Sequence, residues 1–498
     1  MGDLQTYDMP IRPAGGLLFG LSAARLASVA TAGVVFIAAM ASPTATTIAG
    51  GLATIVMLLA GAAVKVGGRA LVDWIPIAGG YGWRMATRRN EFYSSPELAR
   101  PLPDGVLDLP GELFGLELHT HDPTTAAHVA NPSPAGFGVL RDTFRQRMIA
   151  VAEISAGGFL FGDPDDQQSR IGAWGRLLDH VAQSLPEICR LQLLHSVGPA
   201  STEPLRAHHA RHGGRGSDDT ATSYRQVLHA SGAISQEHRL LLAVALDLRA
   251  ARRAVRQAGG GADGAARVLL DRAATIEETL TGAGLDVHGW LPARQIAQVL
   301  RVAFDPDSRT SLDQRPADVN DGGGIDPAAA GPAGMIEGWG AVRHDSGWST
   351  TLQVVRPPSR PVTGDFLGHL LIGVDAQRRL SILYVPTAMA TAERRAQTQQ
   401  VATESEQTLR ARWGFGTSAR HARAWQDAAR REEDLVDGRT VYRIVWLITV
   451  TAPSLAQLDA AVGQVDAAAR RCALELRRLA GSQRQAFGWT LPLCRGAR

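Results

Sequence analysis

The residues able to carry out nucleophilic, acid–base or phosphate chemistry are few and poorly clustered. Of 51 lysines and arginines, Lys65 is the only lysine and the other 50 are arginines. A Walker A loop sets a lysine between glycine and serine or threonine, so that its ammonium reaches the β- and γ-phosphates. Lys65 sits in Val64-Lys65-Val66, so this loop is absent. A pyridoxal Schiff base also needs a placed lysine and is disfavoured for the same reason. His208, His209 and His212 lie beside Arg206, Arg211 and Arg215 in a glycine-rich stretch. Cations repel a metal ion, and no thiol or carboxylate completes a site there, so this reads as a solvated loop. His119 and His121 have strand spacing with Asp122 adjacent. Two ligands are too few, and the pair reads as a polar strand edge. His344-Asp345-Ser346 contains the residue types of a hydrolase triad, but consecutive side chains diverge and no Gly-x-Ser-x-Gly elbow accompanies them. Gly259 to Gly264 lacks the lysine and the dinucleotide spacing and reads as a helix–helix loop. Cys189, Cys472 and Cys494 form no CxxC pair, and their apolar neighbours point to buried, reduced thiols in a cytoplasmic setting. No catalytic, cofactor-binding or metal-ligating residue is assigned, and the chain is expected not to be an enzyme.

One cationic feature stands out. Arg249, Arg252, Arg253 and Arg256 recur at spacings that place them on one helical face. Such a stripe suits inner-leaflet phospholipid, an acidic partner surface or nucleic-acid phosphate. The plain alternative is a solvated face in a protein that uses arginine for nearly every cation. With 48 acidic residues and a net charge of +3, the chain is too evenly balanced to coat nucleic acid, so direct nucleic-acid binding is the weakest of these readings.

The elements that would position these residues begin with a membrane signal. From Leu26 to Val64 there are 39 residues without a charge, broken near Ser42-Pro43-Thr44 by a polar turn. Two spans of about 26–42 and 48–64 are predicted, at the short end of what crosses a bilayer. A signal peptide fits poorly, because the apolar run starts late and is too long. Arg12 and Arg25 precede the hairpin; Lys65, Arg69, Arg84, Arg88 and Arg89 follow it. The basic flanks predict both ends in the cytoplasm and a multi-pass protein of the cell membrane. Residues 1–25 are then a cytoplasmic segment, and 65–89 a juxtamembrane segment whose Trp74, Tyr81 and Trp83 suit the membrane interface.

Beyond residue 90 the chain is ordinary and globular: 45% of the sequence is apolar and 20% charged, enough to build cores. Roughly 400 residues exceed one core of usual size. The predicted division is a first α/β domain over 90–304, a Gly/Ala/Pro-rich linker over 305–334, and a second α/β domain over 335–498. The first domain reads as strands at 148–154, 191–195 and 239–248, a helix opened by Asp163-Pro164, and helices near 263–283 and 291–303. The second reads as strands at 348–356, around 380–384 and at 441–451. A long polar helix is predicted near 389–435, and a last helix opens at Ser454 with a stripe from Leu455 to Leu479. Strands joined by long helices predict a membrane-anchored α/β (α+β) chain whose two cytoplasmic domains have split βαβ, ferredoxin-like character.

The order of parts carries a resemblance. The double span is followed by Gly331-Pro332, Trp339 and Arg343-His344-Asp345-Ser346, then by Gly481-Ser482-Gln483-Arg484-Gln485-Ala486-Phe487 running into Leu491-Pro492-Leu493. This resembles actinobacterial integral-membrane proteins associated with type IV secretion and conjugation gene clusters. The ending is similar to that of the N-terminal, non-motor half of type IV secretion ATPases, and the hairpin to the small subunit that docks such an ATPase. The resemblance implies a non-catalytic scaffold, without cofactor, oligomeric within a complex of membrane subunits and docking a separate ATPase. Gly481, Gln483, Phe487, Leu491 and Pro492 are the implied ATPase contact, and the Arg249–Arg256 stripe a second contact for lipid or an acidic partner. The alternatives are the EccE subunit of type VII secretion, which also joins two N-terminal spans to a soluble part of about this size, and a membrane-bound enzyme of unknown chemistry.

Overall fold

The computed structural model describes residues 22–41, 44–94, 103–122, 135–155, 157–200, 236–314, 323–387 and 440–496, with a few more between 219 and 227. The chain opens with helices α1 (Ala23–Ala41) and α2 (Ala45–Ala63). Thr44 starts α2: its hydroxyl accepts from the backbone N–H of Thr47, and the Thr47 hydroxyl accepts from that of Thr44. This reciprocal cap satisfies two donors that the helix itself leaves unpaired. Gly51 lets the helices close, since a Cβ there would stand 2.9 Å from the Ala39 Cβ. Both helices are long and apolar enough to cross a membrane, and the chain buries almost none of their surface. The hairpin β1 (Lys65–Val66) and β2 (Arg69–Ala70) leads into α3 (Leu71–Ala86).

The first half continues with β3 (Glu91–Tyr93), β4 (Leu116–His121), β5 (Phe137–Asp142), β6 (Arg147–Ser155), α4 (Pro164–Ser184), β7 (Ile188–Pro199) and β8 (Gln236–Asp247). It closes with α5 (Arg252–Gln257), α6 (Gly261–Gly282), β9 (Asp286–Trp290), α7 (Ala293–Phe304) and α8 (Ser308–Asp313). Pro164 opens α4 at its first turn, where its missing N–H is no loss. The apolar centre of β8 reflects burial on both faces. Leu242, Val244 and Leu246 join one core with the helices, while Leu241, Ala243 and Ala245 join another beneath α7.

The second half runs β10 (Gly334–Glu337), β11 (Val342–His344), β12 (Gly347–Arg356), α9 (Gly368–Leu371), β13 (Arg378–Pro386), β14 (Tyr442–Ala452), α10 (Leu455–Arg471), β15 (Glu475–Arg478) and α11 (Gln483–Gly488). β6-α4-β7-β8-α6-β9 pair antiparallel in the order β9-β6-β8-β7. β12-α9-β13-β14-α10-β15 pair antiparallel in the order β15-β12-β14-β13. Both are the split βαβ arrangement expected from the sequence. In the second unit the first crossover helix has shrunk to one turn, α9.

The two units are not separate domains divided at a linker. β7 and β13, the corresponding strands, pair antiparallel with Leu194 opposite Ser381, so one 13-stranded sheet runs through both units among the described residues. Like strands paired antiparallel are related by a local two-fold axis. Each unit also carries a two-strand N-terminal extension, β5-β4 on β6 and β11-β10 on β12, and β3 of the first half adds to β10 at the sheet edge. The predicted linker is, in its described part, a packed crossover holding α8. Ile325 and Ala330 are buried, and a Cβ on Gly331 would lie on the Asp108 carbonyl. The stripe of the last helix also needs correction. Leu458, Val465, Ala469 and Cys472 are buried, but Leu455 is exposed, α10 ends at Arg471, and Leu476 lies on β15. The predicted helix near 389–435 and His208, His209 and His212 fall outside the described residues.

Candidate functional site

The C-terminal segment that the resemblance implied as an ATPase contact is a core element. Gly481, Gln483, Phe487, Leu491 and Pro492 are all buried, so these side chains offer no surface to a partner. The second unit leaves a row of hydroxyls on the face opposite its helices, and the segment satisfies them. Gln483 clips β12 at both ends of one residue: its Oε1 accepts from Thr351 N at 2.7 Å, and its Nε2 donates to Thr351 O at 3.3 Å. The Thr351 and Thr449 hydroxyls meet at 2.7 Å, and Thr449 meets Thr490 at 2.8 Å. Across the seam, Gln192 Nε2 donates to Ser381 Oγ and the Leu491 carbonyl, while its Oε1 accepts from Cys494 N. Buried polar groups are tolerated only when matched in this way. Arg495 pairs with Asp142 at 2.9 Å, and both side chains are almost fully buried. Pro492 lines a cavity of about 290 Å³ at the seam between the units.

Phe487 is the hub of this segment. Its ring stacks on Phe304 and on His344, each at 5.3 Å, and the Arg379 guanidinium lies 4.6 Å over its centre. His344 is buried, with Nδ1 2.6 Å from the Phe304 carbonyl and Nε2 2.7 Å from Ser349 Oγ. Ser349 in turn meets Thr451 at 2.7 Å. Asp345, instead of orienting His344, accepts from the backbone of Ala333 and Gly334 and pairs with Arg301 at 2.9 Å. The pairing of Ser349 and His344 is one that sequence spacing did not indicate. It is sealed from substrate: Ser349 is 0% and His344 1% exposed. Burial, aided by the nearby Arg379 charge, lowers the His344 pKa to about 4.

The segment also clasps α3. Arg84 of α3 pairs with buried Glu337 at 3.0 Å and donates to the Gly481 carbonyl. Burial raises the Glu337 pKa despite the opposing Arg84 and Arg484 charges. Arg484 bridges Glu112 at 3.1 Å and the Arg89 carbonyl at 2.7 Å. Trp74 and Tyr81, expected at the membrane interface, instead pack on Trp339 at 5.8 and 5.2 Å, whereas Trp83 is exposed. Gly481 takes φ +71°, and a Cβ there would press on Ile77 and Trp339. At the N-terminal end of α3, Asp73 pairs with Arg25 of α1 at 3.1 Å. Hairpin, α3, Trp339 and the C-terminal segment thus form one connected path.

Arg249, Arg252, Arg253 and Arg256 are exposed, but α5 begins only at Arg252, so Arg249 lies in the preceding turn. His119 lies 3.4 Å from Glu117 and His121 3.9 Å from Asp263, a polar strand edge as expected. All three cysteines are free. Burial raises the thiol pKa of Cys189, Cys472 and Cys494, which makes them poor nucleophiles.

Residues 234–354 match the family described as "Putative type VII ESX secretion system translocon, EccE". The matched stretch, under half of the chain, runs from the start of β8 through α5–α8 and β10 into β12, across the crossover between the two units. No curated protein matches the chain. The similarity is therefore to a secretion-system component, and it favours the type VII alternative over the type IV and conjugation reading.

Proposed function

We propose that this chain is a membrane-anchored, non-enzymatic subunit of a type VII secretion translocon. In this reading both ends of the hairpin face the cytoplasm, and the paired ferredoxin-like units form a platform for neighbouring subunits, a secretion ATPase among them. The observation that carries it is the EccE match over 234–354, which covers the elements linking the two units. Two further features support it. The α1–α2 hairpin leaves its apolar surface unburied, as a helix pair facing lipid or partner helices would. The clasp of α3 by Trp339 and the C-terminal segment couples that hairpin to the platform. With the C-terminal segment inside the core, an ATPase contact falls to exposed surfaces, the Arg252–Arg256 face among them.

The experiment is affinity purification of the tagged full chain from its host membrane in mild detergent, followed by mass spectrometry. The expected result is recovery of type VII membrane subunits together with their ATPase, and loss of type VII substrate secretion when the chain is deleted. Recovery of conjugation components, with type VII secretion intact in the deletion strain, overturns the proposal in favour of type IV.

A further inference from the structure

Four guanidinium groups converge at one end of the first unit. Arg145 and Arg147 come from the β5–β6 turn and the start of β6, Arg190 from β7 and Arg249 from the turn before α5. Together they line a cavity of about 370 Å³, with Phe144 at its edge. The carboxylates nearby are already committed. Asp247, the one carboxylate in this lining among the described residues, accepts the backbone N–H groups of Arg249 and Ala250 at 2.9 and 3.2 Å. Asp142 takes Arg145 at 3.3 Å and Arg495 at 2.9 Å. Arg190 donates to the Cys494 carbonyl at 3.0 Å. Arg147 and Arg249 have no ion pair among the described residues, and the buried Nε of Arg147 has no hydrogen-bond partner. Burial lowers the Arg190 pKa, and the adjacent Arg147 and Arg145 charges lower it further.

The fold therefore holds like charges together around a space large enough for a small anion. A planar guanidinium fork matches phosphate oxygens two at a time. A phosphate group carries charge approaching −2 on three oxygens and so answers several cations at once, which a carboxylate does not. The exposed Arg252, Arg253 and Arg256 on adjacent α5 add positive potential that draws anions towards the opening. We propose that the Arg145–Arg147–Arg190–Arg249 cavity is a binding site for a phosphate group, supplied by an anionic lipid headgroup or by a soluble phosphate.

The test uses the full chain in phosphatidylcholine nanodiscs, titrated with pyrophosphate by calorimetry. One saturable site is expected, and Arg147→Gln or Arg249→Gln weakens it by about tenfold or more. The double change Arg252→Gln with Arg253→Gln leaves it within about twofold, because these side chains lie outside the cavity. Arg249 is exposed, so its variant folds and decides the matter if Arg147→Gln does not. Nanodiscs with about a fifth of phosphatidic acid, whose headgroup is a phosphate monoester with three free oxygens, separate the sources. Competition that weakens pyrophosphate in the wild type identifies the lipid headgroup, whereas unchanged affinity identifies a soluble phosphate. Absence of saturable pyrophosphate binding, or equal binding by a folded Arg249→Gln variant, overturns the proposal.

Discussion

At the scale of single residues, the most informative side chain is His344. In the sequence it stands between Arg343 and Asp345 and looks like part of a broken triad. In the structure its partners are Phe304, Ser349, Thr451 through Ser349, and Phe487, drawn from α7, β12, β14 and α11. No local spacing encodes such a set, which explains why sequence reasoning excluded the false triad but missed the true neighbours. Its pKa of about 4 when folded lies below the usual imidazole value near 6.5. Between those values the unfolded chain binds the proton and the folded chain does not. Stability is therefore fully present above about pH 6.5 and is lost as pH falls towards 4, by about 3–4 kcal/mol in total for this group. Urea unfolding of the full chain in detergent, followed by tryptophan fluorescence, should show a midpoint that falls between pH 7 and pH 5. His344→Gln should make that dependence shallower without abolishing it, because burial also lowers the His195 pKa to about 4, and an equally steep pH dependence in the variant would assign it to other groups.

At the scale of elements, α3 decides how the hairpin is held. The sequence marked Trp74 and Tyr81 as interfacial aromatics, because amphipathic rings after an apolar span favour that place. The structure gives them Trp339 instead. An aromatic pair contributes about 0.5–1.5 kcal/mol beyond its buried area, so two such pairs and the Arg84–Glu337 bridge suffice to dock a short helix. Trp339→Ala should release α3 without unfolding the sheet. Limited proteolysis should then cut faster between residues 65 and 95, with the urea midpoint of the core nearly unchanged. Gly481→Ala should act alike, because its Cβ would stand 2.7 Å from Ile77 Cγ2 and 2.8 Å from Trp339. Unchanged cleavage in both variants would show that α3 is held by its N-terminal Asp73–Arg25 end alone. The helix α10 shows the opposite balance, since its apolar face was read correctly from Leu458 to Cys472. The expected stripe fails at Leu455, which is exposed, and where the chain turns into β15, a change that tertiary pairing with β12 imposes.

At the scale of the whole molecule, the hairpin and the platform make a topological prediction. With basic residues on both outer flanks of the hairpin and none in its turn, Thr44 should lie outside the cell and the sheet inside. In a Cys189→Ser background, Thr44→Cys should be labelled in intact cells by an impermeant thiol reagent. Arg356→Cys, on an exposed part of β12, should be labelled only after lysis. The reverse pattern would invert the orientation. The apolar spans, the alternation of strands and helices, and the split βαβ style of both units are legible along the chain. Each of these is written in local periodicity, charge and turn chemistry. Tertiary structure alone decided that the two units share one sheet, because β7 and β13 are apolar strands with no local mark of their neighbour. It also decided the fate of the C-terminal segment. Gln483 and Thr490 read as surface residues by type, and only the hydroxyl row on β12 and β14, distant in sequence, makes their burial favourable. Likewise the stripe from Arg249 to Arg256 was legible as charge on one helical face, but its division between a cavity wall and an open helix was not. The turn before α5 starts at Asp247, and that turn swings Arg249 towards arginines of β6 and β7 that lie far away along the chain.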